Sequence, residues 1–87
     1  MLKGKTKSGF KFEIDKEVLD DWELLELLEK IDSGDVSVMP KAITFLLGNR
    51  QYQNLKKFIK KRDGKIKITT MVEEFNQIMT AQKETKN

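Results

Sequence analysis

The sequence predicts a mainly α-helical (α+β) domain of about four short helices with a small N-terminal β-strand or hairpin, and three patterns carry that prediction. Phe10, Phe12 and Ile14 alternate with Lys11 and Glu13, the two-residue period of a strand with one buried face. Leucines and other apolar residues then recur at three- and four-residue spacing over residues 24–31 and 71–79, the mark of amphipathic helices. Gly34, Pro40, Gly48 and Gly64 punctuate the stretches between, at intervals that suit short helices.

Taken in order, residues 2–7 can pair with the 10–14 strand through a turn at Lys7, Ser8 and Gly9. Asp15 ends the strand and caps a short turn over Lys16 to Leu19. Asp20 and Glu23 have the spacing of a capping box, which opens a helix there. Leu24, Leu25, Leu27, Leu28 and Ile31 crowd one side of it, and Glu23, Glu26, Glu29 and Lys30 take the other. Ser33, Gly34 and Asp35 stop this helix. Pro40 suits the first position of a second helix, Pro40 to Leu47, closed by Gly48 and Asn49. Asn49 also fits the cap of a third helix, Arg50 to about Arg62, which Asp63 and Gly64 terminate. Lys65 to Ile68 reads as extended. Thr70 and Glu73 repeat the capping-box spacing and open a last helix to about Gln82. Its buried stripe is Met71, Val72, Phe75, Ile78 and Met79.

These elements make a single domain over residues 1–82 with a frayed polar tail, 83–87. The expected core comprises Phe10, Phe12, Ile14, Leu24, Leu28, Ile31, Ile43, Leu46, Leu47, Leu55, Phe58, Ile59, Ile66, Phe75 and Ile78. The chain contains neither cysteine nor histidine, which removes disulfides, thiolate metal sites, the usual general base and the commonest zinc ligand. No catalytic residue, cofactor or metal is expected, and the acids at 20, 21 and 23 suit a helix N-terminus on dipole grounds alone. No run matches the length of a membrane helix and no leader resembles a signal peptide, so a cytoplasmic protein without membrane partners is expected.

Net charge is +3, but that mean conceals a segregated chain. Residues 13–35 hold ten acids against two lysines, and residues 36–67 hold nine bases against one acid. Two readings follow. An acidic helix packs beside a basic one and each eases the other's repulsion, or the surface is dipolar and docks on copies of itself or on an oppositely charged partner.

The order GFKFEID, then DDWELLELLEKID, then LLGNRQYQNL, then DGKI before a closing amphipathic helix resembles the tail assembly chaperones of long-tailed (siphovirus-type) bacteriophages. The resemblance spans about Ser8 to Met79 and rests mainly on Asp21 to Glu26, on Leu46-Leu47-Gly48 and on Gln51-Tyr52; the pronounced basic helix departs from the family pattern. It implies a small, non-catalytic helical protein in the cytoplasm of the infected bacterium. Such chaperones bind the tape-measure protein, assist the tail-tube subunits in assembling around it, and are absent from the finished particle. A holder of amphipathic helices needs an exposed apolar margin. The expected one is Val18, Trp22 and Leu25, rimmed by Glu23, Glu26 and Glu29, with Trp22 as anchor. Against this stands the plainer role of Trp22 as a lid on the core.

The alternative is nucleic-acid binding. Arg50, Lys56, Lys57, Lys60 and Lys61 fan over one face of the third helix, Arg62, Lys65 and Lys67 extend the patch, and a helix, a tight turn and a helix outline a helix-turn-helix. Base-reading side chains are few there, namely Arg50, Gln51, Gln53 and Asn54, and the acidic helix would repel phosphate. Nucleic acid is the lesser expectation.

Overall fold

Alternation places every second side chain of the N-terminal hairpin inward. In the computed structural model, which describes residues 1–84, β1 (Leu2–Lys5) pairs antiparallel with β2 (Lys11–Ile14), Leu2 opposite Ile14 and Lys5 opposite Lys11. Phe10, Phe12 and Ile14 are buried. The turn closes through the Thr6 amide to the Phe10 carbonyl (2.9 Å), the Gly9 amide to the Thr6 carbonyl (3.0 Å), and the Phe10 amide to Thr6 Oγ1 (3.1 Å).

The helices follow largely where punctuation puts them, with shifts at their caps. Asp15 caps α1 (Lys16–Leu19), accepting from the Glu17 amide at 3.0 Å. The cap of α2 (Trp22–Asp32) is Asp21, not Asp20: Asp21 Oδ1 accepts from the Glu23 amide at 2.8 Å. Asp20 ends α1 with φ −101° and ψ 12°, whereas Asp21 has the extended backbone that a cap requires. Past Gly34, at φ +101°, a 3-10 turn (Val36–Val38) intervenes, capped by Asp35. The Ser37 hydroxyl and amide both donate to Asp35 and hold its carboxyl below the ordinary value.

α3 (Met39–Leu47) carries Pro40 in its first turn. Asn49 does not cap the next helix, because α4 (Asn49–Asp63) already includes it. Gly48 takes the cap position at φ +84°, a backbone that glycine adopts without strain, and its carbonyl accepts from the Tyr52 amide at 3.0 Å. α5 (Ile68–Glu84) begins two residues before Thr70, and the Lys67 carbonyl accepts from the Met71 amide at 3.0 Å. The helix also runs past Gln82, so residues 83 and 84 are helical rather than tail; residues 85–87, the rest of the expected tail, lie outside the described residues.

α3 is the hub of the core and packs on α1, α2, α4 and β2. Ile14, Ile43, Leu55, Ile59 and Ile78 are fully enclosed. Leu27, Met39 and Ala42 join them, while the expected Leu28, Ile31 and Phe58 sit half-buried at the margin. Ile66 is a correction. It is 37% exposed, because Lys65 to Lys67 is a bend and a short connection, and no strand among the described residues covers its apolar side.

The hairpin turn is fastened to α5 by a polar contact that the apolar pattern does not foreshadow. Glu74 is buried, and Ser8 Oγ donates to its Oε2 at 2.7 Å; Lys7 amide donates to Gln77 Oε1 at 2.7 Å. Glu74 Oε1 has no hydrogen-bond partner among the described residues. Ser8 is thus the donor on which this carboxyl depends, and Ser8→Ala should destabilise the fold by about 1–3 kcal/mol in urea unfolding. In a Glu74→Met background the same substitution should cost clearly less, since only the contact of Ser8 Oγ with Thr6 Oγ1 (2.8 Å) is then lost. Equal costs in both backgrounds would show that the contact does not hold the turn.

Candidate functional site

At 100° per residue, Leu24, Leu27, Leu28 and Ile31 occupy one side of α2, centred on the buried Leu24 and Leu27. Trp22, Glu26 and Glu29 fall on the diametrically opposite side, with Leu25 beside them. Exposure agrees: Trp22 is 70% and Leu25 is 54% exposed, and Glu23, Glu26 and Glu29 are exposed as well. The tryptophan is therefore no lid on the core. Asp21 fixes where the helix starts, and so fixes the direction in which Trp22 projects. Val18, on α1, is half-buried and packs against the core. Leu25 and Glu29 also edge a shallow groove between α2 and α5, with Leu28, Phe75 and Met79 within it. Glu23 and Glu26 border a second groove toward Lys30, Lys41 and Phe45.

The basic set divides in two. Leu55 and Ile59 anchor α4, which turns Arg50, Lys57 and Lys61 directly outward with Lys60 beside them. Lys56 and Arg62 are engaged within the molecule. Lys56 Nζ lies 4.8 Å from the Tyr52 ring centre, and the Arg62 guanidinium lies 5.7 Å from that of Phe58. Arg62 also pairs with Asp63 through two contacts of 2.8 and 2.9 Å, which raise its own pKa and lower that of Asp63. Gln51 is committed as well. Its amide accepts from the Glu13 amide at 2.8 Å and donates to the Glu13 and Leu47 carbonyls, each at 2.7 Å, closing the outer edge of β2. A side chain so held is not free to read a base edge.

A third surface escapes sequence reasoning. An apolar groove of about 470 Å³ opens between the 3-10 turn, α3, α4 and the start of α5. Val36, Met39, Tyr52, Ile66, Met71 and Val72 line it, Ile68 projects at its edge with 69% exposure, and Lys56 and Lys67 also contribute. The signal was present in the alternation Lys65-Ile66-Lys67-Ile68, which marks a half-covered apolar segment. Its reading as core presupposed a covering element.

The fold and these surfaces define a small helical domain with an apolar projection on an acidic helix and an apolar groove bordered by lysines. In comparisons with known proteins, no family model, no curated protein and no solved structure matches the chain.

Proposed function

We propose that this chain is a non-catalytic tail assembly chaperone of the kind found in long-tailed bacteriophages. It holds amphipathic helices of the tape-measure protein in the cytoplasm of the infected host while tail-tube subunits assemble. The observation that carries this reading is the exposed Trp22–Leu25 face of α2, turned away from the core and rimmed by Glu23, Glu26 and Glu29. Tryptophan is the side chain most often found as an energetic anchor between proteins, and a free one of this exposure lacks a structural task. The acidic rim selects a client helix whose apolar stripe is flanked by lysine or arginine. Among the described residues, no helix is long and apolar enough to cross a membrane.

Trp22 is the chain's one tryptophan and thus reports its own contact. Titration with a helical tape-measure fragment should shift indole emission to the blue, saturably and with co-elution. Unchanged emission together with separate elution would reject the reading. The outward stripe of Arg50, Lys57, Lys60 and Lys61 on α4 supports nucleic-acid binding as the second reading. Binding of a mixed-sequence duplex that collapses as salt rises would transfer the function to α4. The commitment of Gln51 and Arg62 within the fold weighs against it.

A further inference from the structure

Among the described residues, no ion pair joins the acidic stretch of this molecule to the basic one. The acidic α2 and the basic α4 each pack on α3, with no substantial contact between them. Among the described residues the one ion pair joins Arg62 to its neighbour Asp63, so none links the acidic face to the basic helix. Intramolecular relief, the plainer reading of the segregated charge, is therefore not built into the contacts. Each half also carries apolar surface of opposite shape. The acidic half projects Trp22 and Leu25, and the basic half contains the hollow lined by Tyr52, Ile66, Met71 and Val72.

We propose that the occupant of this hollow is a second copy of the chain, which inserts Trp22 and Leu25 with Glu26 and Glu29 set against Lys56 and Lys67. Charge complementarity selects the occupant: acids surround the projection and lysines border the hollow. A volume of about 470 Å³ is in the range of a pocket that takes a large side chain with its neighbours. The chain's own C-terminal helix does not serve, because α5 starts at the hollow and carries Glu84 roughly 24 Å away from Ile68. The Lys56 ammonium, held over Tyr52, stands at the rim and pairs with no carboxylate among the described residues. The contact joins two different surfaces, so each copy keeps one projection and one hollow to offer, and copies extend head to tail or close into a ring. The projection is also the face assigned above to a client helix, so client and second copy compete for it, and the assembly is a storage form that the client opens.

Light scattering on the full chain tests this. Self-association is expected at about 20 mM salt and should weaken at roughly 0.5 M, where exposed charges are screened. Ile68→Glu alters the hollow at an exposed position and leaves Trp22 intact; Trp22→Ala does the reverse. Each variant alone should be monomeric, and an equimolar mixture should form a one-to-one complex, because one intact projection then meets one intact hollow. A wild-type chain that stays monomeric at low salt overturns the proposal, as does an Ile68→Glu variant that associates like wild type. Failure of the chaperone reading is separable. In that case self-association and its rescue by mixing persist while no tape-measure fragment binds. If only the self-docking fails, Ile68→Glu and wild type bind the fragment equally.

Discussion

On the proposed chaperone reading, Trp22→Ala should weaken binding of an amphipathic tape-measure helix by about 30-fold or more while leaving the fold as stable as before. The indole is 70% exposed and lies across α2 from the buried Leu24 and Leu27, so its loss opens no cavity. Substitutions at such positions stay within roughly 0.5 kcal/mol in stability. In a contact, the same indole becomes the largest apolar group on the acidic face, and truncation of a central anchor costs about 2 kcal/mol or more. Calorimetry is the suitable measurement, since the variant has no tryptophan to follow. Leu25→Ala should show a smaller loss, and Glu26→Gln should act mainly on association rate and its salt dependence. A Trp22→Ala variant with wild-type affinity and wild-type urea midpoint would place client binding elsewhere and leave the exposed indole without a role. Loss of stability instead would mean that Trp22 packs more closely than its exposure indicates.

The fold class was legible because its signals are local. Phe10, Phe12 and Ile14 announce a strand by period alone, and Gly34, Gly48 and Gly64 announce helix ends because each takes a backbone angle that other residues avoid. The caps were less so. Asp20 and Asp21 are chemically equal as caps, and the choice falls to Asp21 only because α1 must end first. Asn49 and Thr70 have the right chemistry one and three residues too late for a cap, since the turn geometry at Gly48 and the bend after Gly64 begin each helix earlier. The contact surfaces divide the same way. Trp22 lies opposite the leucine stripe by helical spacing, a property of one element. The hollow is made by four elements, the 3-10 turn, α3, α4 and α5, and Ile66, which reads as core by alternation, stays at the surface because no strand among the described residues covers it. The roles of Gln51 and Glu74 depend on partners 38 and 66 residues away, so no local pattern contains them.

Phe12→Ala should lower stability by about 3–5 kcal/mol, as large-to-small changes in a packed core do. A domain of this length has roughly 4–13 kcal/mol in total, at about 0.05–0.15 kcal/mol per residue, so a sizeable unfolded fraction should be present at ambient temperature. The position is severe for a structural reason. A two-stranded hairpin is marginal by itself, and this one persists because its inner face, Phe10, Phe12 and Ile14, is part of the core. Gly4 makes the fit closer still. It pairs with Phe12 across the ladder, and a β-carbon built on it would lie 2.5 Å from Phe12 Cζ. Glycine is thus required at position 4 by the ring rather than by the backbone, whose φ is not positive there. Gly4→Ala should cost about 1–3 kcal/mol through overpacking, and much less in a Phe12→Leu background, where the clashing atom is gone. Urea unfolding of the four proteins in that cycle measures the coupling directly. Independent costs would mean that the ring moves aside freely, and then the hairpin would be held by Ile14 and the Gln51 contacts instead.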